Sequence, residues 1–501
     1  MKIKKILLVF GLILTSVCFA SCDSIKEKNN DIVYDDIEAE YKSEAFPGQI
    51  RTHSYTYSDS YFLDNSYDTD LAKASFALAS ATKFFSGNKT DDENFKEVLG
   101  QIGFSNFYAN DYLFEETNIY GIGLQFASKE ANLDGVNKTI VAVSVRGFDY
   151  YYEWVSNFII GKENDHAGFR AASIEFLLEL DEYVSNLENK DIILWISGYS
   201  RGGAVANIGS AYLDNYINYK KTNEWLIDDY EPDLSFDLDF DELFCYTFEA
   251  PKGAIKENAD KLKDVTKNIH NIINECDIVP MVLPAELGFT EYGNIYTYLL
   301  DPATDKFNGI GKDLDIDYDI KINEYSISLT KIEGVEPIIS FGIFDLYPNK
   351  HNTEIKSKDF LSGLVKDLVA SFETREKYSS IVDPILDELA TKFRNLDKTQ
   401  KNLFIETLKK EFKGSNFLSF VNSSGVKNII KKSYEAVNLT ISDKVYECID
   451  SLYSILRSII LSELSLSSDN LLKRAATFYM NMDLLIVNHM PGFSAEFVQL
   501  L

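Results

Sequence analysis

A serine between two glycines is the clearest candidate for chemistry in this chain. The stretch GYSRG at residues 198–202 fits G-x-S-x-G, in which the serine projects from a sharp turn between a strand and a helix. Gly198 and Gly202 suit that turn because side chains two residues from the serine would crowd it. An apolar run at residues 192–196 precedes the motif, and small residues that begin a helical pattern follow it. A chance match in a loop is the alternative, but this context predicts a nucleophile elbow with Ser200 as the nucleophile.

A nucleophilic serine needs a base that takes its proton, and the base needs an acid that fixes its tautomer. In chains with this kind of elbow, the acid follows the serine and precedes the histidine. Asp277 comes just after a strand-like run, so it should reach the same carboxyl edge of the sheet as Ser200. Glu275 and Asp301 are alternatives that do not stand just past a strand end. We therefore predict Asp277 as the acid.

Two histidines, His351 and His489, follow Asp277 in the chain. His351 lies in the polar stretch PNKHNTE, which is typical of a solvated turn. His489 ends an apolar helical stretch beside a Pro-Gly turn that would hold it in place. A helix-capping histidine, favoured by the helix dipole, is the alternative role for this residue. We predict His489 as the base that accepts the Ser200 proton.

Acyl chemistry at Ser200 also requires two preorganised N–H donors for the oxyanion. The backbone N–H of Arg201, directly after the nucleophile, is one candidate. The other is the backbone N–H of Phe148, which follows the β-branched run TIVAVSV at residues 139–145. The side chain of Arg146 is predicted to be structural, as the partner of a carboxylate beneath this loop.

Alternating strands and helices must position these residues. Hydrophobic periodicity predicts helices at residues 70–85, 94–102 and 168–187, and strands at residues 119–128, 139–145, 192–196, 243–248 and 269–273. This alternation indicates an α/β fold with a mainly parallel sheet. From residue 360 onward, apolar stripes at helical spacing predict a helical subdomain inserted into the α/β domain, and a last helix at residues 471–487 leads to His489.

The first 22 residues have the pattern of an export signal. Lysines near the start precede an apolar stretch at residues 6–17, which is of signal-peptide length. The stretch ends in Phe-Ala-Ser-Cys, which resembles a bacterial lipobox and predicts lipidation of Cys22, although Phe19 stands where the box usually carries Leu. Ordinary cleavage after Ala20 is the alternative. We therefore expect an exported, membrane-anchored bacterial lipoprotein, or a secreted protein in the alternative case.

The composition is that of a globular, strongly acidic protein. Of the 501 residues 45% are hydrophobic, and the formal net charge is −29. This charge argues against nucleic acid as a partner. No Cys/His spacing predicts a metal site, and we expect no metal and no organic cofactor. If Cys22 is lipidated, the mature chain keeps Cys245, Cys276 and Cys448, an odd number that predicts no disulfide framework and leaves buried thiols as the default.

Five segments between Tyr55 and Leu299 resemble, in order, the class 3 (fungal-type) lipase family of the α/β-hydrolase superfamily. SVRGFDYYYEW resembles the family's F-R-G-T…W, DHAGF resembles V-H-x-G-F, and GYSRGGAVAN resembles G-H-S-L-G-G-A-L-A. YTFEAPKG resembles T-F-G-A-P-R-V-G, and NIINECDIVPMVLP resembles V-N-x-x-D-x-V-P-x-L-P. The resemblance implies that Ser200, Asp277 and a histidine act on acyl esters, and that His166 is a structural residue near the site.

The chain departs from this family's pattern in several places. Tyr199 replaces the usual histidine before the serine, which should alter packing and leave the nucleophile unchanged. Phe148 replaces a small hydroxyl residue that often adds a side-chain donor to the oxyanion hole. The helical subdomain between Asp277 and His489 is not part of the basic pattern. The aromatic stretch DYYYEWVSNFII at residues 149–160 is a candidate lid, with a packed amphipathic helix as the alternative.

Together these features predict a serine hydrolase that cleaves carboxylic esters of lipids through an acyl-enzyme, of lipase, phospholipase A or esterase type. The same residues acting on another acyl bond or in acyl transfer, and a non-catalytic surface binding protein on a hydrolase scaffold, are the alternatives. The expected partners are a lipid or small ester and, through the lipid anchor, the membrane; the oligomeric state stays open.

The predicted boundaries are a signal peptide at 1–22, a flexible tether at 23–49, a hydrolase core at 50–348, a helical insertion or cap at 349–466, and a C-terminal helix at 467–501 that returns His489 to the core.

Overall fold

The computed structural model describes residues 25–28, 31–42, 50–81, 91–110, 119–147, 153–274, 277, 279–281, 287–298, 371–414, 423–466, 489, 494–495, 498–499 and 501. Several features predicted from the sequence lie outside these residues, namely Cys22, Phe148, Glu275, Cys276, Asp301, His351 and the last helix at residues 471–487. The described part includes Ser200, Asp277 and His489, the three predicted catalytic residues.

The central feature is a seven-stranded sheet with the strand order β12-β10-β8-β7-β6-β5-β4. The described strands are β1 (Ile25–Lys28), β2 (Asp31–Lys42), β3 (Ile50–Ser58), β4 (Ser105–Ala109), β5 (Leu124–Leu133), β6 (Val136–Val145), β7 (Ile192–Tyr199), β8 (Leu243–Phe248), β9 (Ala254–Ile255), β10 (Ile269–Asn274), β11 (Phe289–Thr290) and β12 (Asn294–Tyr298). Neighbours from β6 to β12 pair parallel, whereas β4 with β5 and β5 with β6 pair antiparallel. The predicted α/β class with a mainly parallel sheet is confirmed.

Helices cover both faces of this sheet. The described α-helices are α1 (Thr69–Ala79), α2 (Asp91–Gly100), α3 (Ala167–Ser185), α4 (Arg201–Thr222), α5 (Lys256–Leu262), α6 (Arg375–Arg394), α7 (Lys398–Gly414), α8 (Ser423–Glu435) and α9 (Asp443–Leu466). Short 3-10 segments lie at Asp59–Leu63, Glu153–Phe158, Phe240–Glu242 and Val279–Met281. Within the described ranges, none of the helices combines the length and the apolar character needed to cross a membrane.

Both faces of the central sheet are buried, which explains the continuous apolar run in β7. In β7, Ile193 and Trp195 belong to the core that includes α1, whereas Leu194 and Ile196 belong to the core that includes α3 and α4. Successive side chains of a strand point to opposite faces, so a run such as Ile192–Ile196 has to be apolar throughout. Because β6, β7, β8 and β10 run parallel, their carboxyl ends lie at one edge of the sheet, and the elbow lies at that edge.

The helices α6 to α9 form a helical subdomain with a small core of its own. Ile385, Phe404, Tyr434 and Val445 are among its buried residues. This confirms the predicted large helical insertion near the C-terminus, with the apolar stripes serving as core packing. Helix α6 contacts the 3-10 segment Glu153–Phe158 of the α/β domain. The subdomain is thus joined to the chain segment that follows the predicted oxyanion loop.

The stretch predicted as a flexible tether, residues 23–49, contains strand structure, and this prediction is corrected. Strand β2 pairs antiparallel with β3, from Val33 opposite Ser58 to Lys42 opposite Ile50, and β1 pairs with β2. In β2 the apolar residues Ile37, Ala39 and Tyr41 alternate with Glu38, Glu40 and Lys42, and Ala39 and Tyr41 are buried. The high charge of the segment concealed this alternation of period two.

Candidate active site

The elbow has the backbone strain that a projecting serine requires. Ser200 follows the last residue of β7 with φ 53° and ψ −128°, and α4 begins at Arg201. A Cβ atom on Gly198 would lie 2.3 Å from the carbonyl oxygen of Gly202, and one on Gly202 would lie 2.1 Å from that of Val145. Larger residues therefore cannot occupy these two positions without moving the backbone. The structure thus places both predicted glycines where only glycine fits.

The three predicted side chains form one hydrogen-bonded chain. The hydroxyl Oγ of Ser200 lies 2.8 Å from Nε2 of His489, and Nδ1 of His489 lies 2.6 Å from Oδ2 of Asp277. Asp277 and Ser200 are buried, whereas the side chain of His489 is 20% exposed. With Nδ1–H donating to the carboxylate, Nε2 is free to accept the hydroxyl proton. A serine, a base and an orienting acid are therefore brought together from positions up to 289 residues apart.

Asp277 is held by the backbone around it. It follows β10, and its N–H donates to the carbonyl oxygen of Asn274 at 3.0 Å. The backbone N–H of Val279 donates to Oδ1 of Asp277 at 2.8 Å, which leaves Oδ2 for His489. Only β8 separates β10 from the elbow strand β7, so the predicted meeting of Asp277 and Ser200 at one sheet edge follows from the strand order.

His489 is anchored by Tyr199, the residue directly before the nucleophile. The hydroxyl of Tyr199 donates to the carbonyl oxygen of His489 and lies 3.1 Å from Oγ of Ser494. The two rings stack with their centroids 5.2 Å apart at an interplanar angle of 28°. We expected Tyr199 to alter packing alone, and its hydrogen bond to the base segment was missed. The departure from the family pattern at this position was the signal that could have found it.

A second residue that sequence reasoning missed is Glu249, which directly follows β8. Its side chain is buried, and its carboxyl oxygens accept the backbone N–H of Asn274 at 3.2 and 3.0 Å. Burial raises the pKa of Glu249 well above its ordinary value, and the charge of Asp277 raises it further. The segment YTFEAPKG carries this glutamate where the family pattern T-F-G-A-P has glycine, and that difference was the available signal.

Buried ion pairs support the loop that leads to Phe148. Arg146 lies 2.5 Å from Glu153, which is the carboxylate partner that the sequence predicted for it. The guanidinium of Arg201 donates to Oδ1 of Asn157 at 3.0 Å, and its Nε lies 3.9 Å from Glu153. Both arginines thus converge on one carboxylate below the elbow. The described geometry includes Arg201, whereas the oxyanion donor predicted at Phe148 lies outside the described residues.

The glycine before Phe148 allows the loop to lie directly against the elbow. A Cβ atom on Gly147 would lie 1.9 Å from the carbonyl oxygen of Tyr199. The backbone N–H of Arg146 donates to the carbonyl oxygen of Gly123 at 2.9 Å, which extends the pairing of β5 with β6. Contact this close is possible only for glycine. Gly147 therefore lies directly against Tyr199, the residue before the nucleophile.

His166 occupies a structural position near the site. Its Nδ1 accepts the backbone N–H of Phe169 at the start of α3, and its Nε2 lies 3.1 Å from the carbonyl oxygen of Asn157. Burial lowers the pKa of His166 to about 3, with the positive charges of Arg201 and Arg375 adding to the effect. A neutral ring with both nitrogens engaged is suited to holding loops together, as the resemblance implied.

The segment predicted as a candidate lid is packed where the structure describes it. Within Glu153–Phe158 the chain forms a 3-10 segment, and Glu153 and Ser156 are fully buried. Helix α6 holds the following loop, because Asp383 accepts the backbone N–H groups of Ile160 at 3.3 Å and Gly161 at 3.0 Å. These contacts favour the packed alternative for residues 153–160.

The described residues contain no group of three or more histidine, cysteine or carboxylate side chains that could hold a metal ion. Cys245 and Cys448 are buried free thiols, in line with the expectation for Cys245. The described residues of the site offer a hydroxyl, an imidazole, a carboxyl and backbone N–H groups for chemistry.

Residues 142–287 match the family described as lipase (class 3), which confirms the predicted resemblance over that part of the chain. Among solved structures, a lipase–propeptide complex from Rhizomucor miehei is similar at 18% identity and a TM-score of 0.29, covering 45% of this chain and 67% of that one. Lipase II from Rhizopus niveus is similar at 16% identity and a TM-score of 0.31, covering 46% and 82%. A triacylglycerol lipase described by its serine protease triad is similar at 17% identity and a TM-score of 0.31, covering 46% and 81%. Comparison with curated proteins gives no match.

Proposed function

We propose that the protein is a serine hydrolase that cleaves carboxylic esters of lipids through an acyl-enzyme. The observation that carries the proposal is the hydrogen-bonded chain from Ser200 through His489 to Asp277, with distances of 2.8 and 2.6 Å. This chain lies on a strained elbow at the carboxyl edge of a parallel sheet. A buried carboxylate that holds the imidazole in one tautomer is what a serine nucleophile needs for activation.

In the acylation step, Oγ of Ser200 attacks the ester carbonyl carbon while its proton passes to Nε2 of His489. The imidazolium that forms is stabilised by Asp277, and the backbone N–H groups of Arg201 and Phe148 are the proposed donors to the oxyanion. Collapse of the tetrahedral intermediate breaks the bond to the leaving alcohol, which takes its proton from His489. In deacylation, water gives a proton to His489 and attacks the acyl-enzyme, which releases the carboxylic acid and regenerates Ser200.

Lipid esters are the proposed substrate class because the class 3 lipase match includes the elbow, Asp277 and the strands between them. The experiment is hydrolysis of p-nitrophenyl butyrate and p-nitrophenyl palmitate by the purified chain without its signal segment. Turnover of the palmitate ester, accelerated when the substrate forms an interface, supports a lipase. Turnover of the butyrate ester alone supports an esterase, and reaction with thioesters or amides but not with these esters contradicts the proposed substrate class.

We also propose that Cys22 is lipidated and anchors the exported protein to a membrane, with secretion after cleavage at Ala20 as the alternative. The support is the charged start, the short apolar stretch and the lipobox-like end of the first 22 residues. Expression with a labelled fatty acid tests this directly. Label on the wild type that is lost in Cys22→Ser supports anchoring, and an unlabelled wild type whose mature N-terminus is Ser21 supports secretion.

A further inference from the structure

Glu249 lies inside the active site without a role in the steps above. It directly follows Phe248, the last residue of β8, and its backbone has φ 50°. Its N–H donates to the carbonyl oxygen of Ile272 at 3.0 Å, which fixes the backbone against β10. The side chain is 1% exposed, so its carboxyl group has exchanged water for protein partners. A buried carboxyl group in a strained backbone position requires a compensating interaction.

One partner of Glu249, the residue Asn274, also holds Asp277. Both of its carboxyl oxygens accept the backbone N–H of Asn274, the residue whose carbonyl oxygen accepts the N–H of Asp277. The carboxyl group of Asp277, which is itself 1% exposed, lies close enough to Glu249 for a side-chain hydrogen bond and for its charge to act on Glu249. Two carboxyl groups this close to each other and away from water need one proton between them, because two adjacent negative charges repel strongly there.

The position of that proton follows from the other contacts of Asp277. Its Oδ2 accepts from Nδ1 of His489 and its Oδ1 accepts from the backbone N–H of Val279, so both oxygens serve as acceptors. Glu249 has one backbone donor for its two oxygens, which leaves one oxygen able to carry the hydrogen. Among the described residues, Asp277 is the ionisable group whose charge acts on Glu249. Burial and that charge both raise the pKa of Glu249, in agreement with a neutral acid.

We propose that Glu249 is a positioning residue of the active site, whose protonated carboxyl group donates a hydrogen bond to Asp277 and holds it in line with His489. The inference rests on the proposed serine hydrolase function. Glu249 acts through Asp277 and touches neither the substrate nor the reacting oxygen. In this arrangement Asp277 remains the negative partner of the imidazole, and the third hydrogen bond restricts the rotation of its carboxylate.

Infrared difference spectroscopy at pH 7 tests the proton directly, because the carbonyl stretch of a neutral carboxylic acid is separate from that of an ionised carboxylate. The spectrum of the wild type minus that of Glu249→Gln should contain the band of one protonated acid. Asp214→Asn is the matched control, because Asp214 is another buried carboxyl group whose pKa burial raises. The Asp214 band should persist in Glu249→Gln. If Glu249→Gln keeps every protonated-acid band of the wild type, the proposal is overturned.

Kinetics test whether the proton serves the active site. Glu249→Ala removes the donor and should lower kcat/KM by at least about 10-fold, through kcat, because hydrogen bonds to charged groups are strong. Glu249→Gln offers an amide donor in the same place and should recover most of that loss. An equal loss in both folded variants, or a loss in neither, contradicts the proposed role. If Glu249→Ala does not fold, the infrared result and the pH profile of Glu249→Gln decide.

The pH profile separates a neutral Glu249 from an ionised one. Replacing a neutral acid with glutamine changes no charge beside Asp277, so the acidic midpoint of kcat/KM should stay within about 0.3 pH units of the wild type. A midpoint lowered by about one pH unit or more means that an ionised Glu249 was removed, and it overturns the inference.

A failure of the proposed function gives a different result. A wild type that neither hydrolyses esters nor reacts with a fluorophosphonate overturns the hydrolase and, with it, the positioning role. If the wild type does both, but the spectrum of the wild type minus that of Glu249→Gln contains no protonated-acid band, only the role of Glu249 is overturned.

Discussion

At the scale of single residues, Tyr199 links the nucleophile to the base. It precedes Ser200 in the chain, its hydroxyl bonds the carbonyl oxygen of His489, and its ring stacks on the imidazole. The side chain is buried at 1% exposure, so these contacts are shielded from water. One residue of the elbow therefore also fixes the place at which a distant segment presents its histidine to Ser200.

Tyr199→Phe keeps the stacked ring and removes the hydroxyl that holds the His489 segment. We expect kcat to fall about 3- to 10-fold with KM nearly unchanged, because one buried hydrogen bond that orients the base is lost. The measurement is steady-state ester hydrolysis. Tyr246→Phe is the matched control, since this buried tyrosine uses its hydroxyl to accept the backbone N–H of Asp68, away from the site. Equal effects of the two variants would contradict an anchoring role for Tyr199.

Site residues could be predicted from the sequence where their neighbours in the chain encode their position, and contacts between distant positions could not. Ser200 could be predicted because the elbow is encoded by its neighbours, and Asp277 because it follows a strand on the same edge. The structure brings His489 to both, but the hydrogen bond from Tyr199 joins residues 290 positions apart and depends on the fold. Glu249 was missed for a similar reason, since its neighbour Asp277 follows a different strand.

At the scale of secondary structure elements, α6 fixes the chain that follows the predicted oxyanion loop. Arg375 donates to the carbonyl oxygens of Ile160 at 2.8 Å and Gly161 at 3.0 Å, while Asp383 accepts the N–H groups of the same two residues. Backbone donors and acceptors of one short loop are thus satisfied by one helix. The helical subdomain is thus bonded to the loop that follows Glu153–Phe158.

Asp383→Ala leaves two backbone N–H groups of that loop without their acceptor. We expect kcat/KM to fall about 5- to 20-fold, because the loop connects directly to the ion pairs below the elbow. Glu376→Ala is the matched control, since Glu376 is exposed on the same helix. Circular dichroism should report unchanged helix content in both variants. Full activity in Asp383→Ala would mean that the subdomain does not position this loop.

Helix α4 carries a buried acid whose effect on stability depends on pH. Asp214 is fully buried, and Asn268 donates to its Oδ1 at 3.1 Å. Burial raises the pKa of Asp214 well above its ordinary value. The folded state therefore keeps a proton that the unfolded chain releases above about pH 4. The stabilisation that protonated Asp214 gives the folded state is fully present below the pKa of Asp214 in the unfolded chain. It is lost as the pH rises toward the pKa of Asp214 in the folded state.

Asp214→Asn removes this loss because its amide does not titrate. The melting temperature of the variant minus that of the wild type should become more positive as the pH rises above about 4. Differential scanning calorimetry at several pH values measures this difference. Asp260→Asn, at an exposed carboxylate paired with Lys256, should give a much smaller slope. A difference for Asp214→Asn that is constant with pH would contradict a neutral buried acid.

The elements themselves were predictable where burial left a simple pattern. Strands β6, β7 and β8 are largely buried, so their sequences are mostly apolar and were recognised as strands. Strand β10 was recognised as well, although it carries His270, Asn271 and Asn274. Strand β2 was not recognised, because its charged residues made the alternation look like a polar tether. The predicted strand at 119–128 begins later, at Leu124, and extends to Leu133 as the partner of β6.

At the scale of the whole molecule, the site joins parts of the chain that the sequence keeps far apart. The elbow and Asp277 lie in the α/β domain, and His489 comes after the helical subdomain. The helical subdomain has a separate core made by its apolar stripes. These stripes could therefore be assigned to core packing from the sequence. Its contact with the loop after the oxyanion segment could not be predicted, because it depends on how the two cores are joined.

The role of Ser200 as the nucleophile is tested most directly by fluorophosphonate labelling combined with ester hydrolysis for the wild type, Ser200→Ala and His489→Ala. We expect a labelled, active wild type, no label on Ser200→Ala, and a loss of at least about 1,000-fold in kcat for both folded variants. Activity that survives in His489→Ala but not in Ser200→Ala would assign the base elsewhere, with His351 as the next candidate. A wild type that is neither labelled nor active, or a Ser200→Ala variant as active as the wild type, would mean that Ser200 is not a catalytic nucleophile.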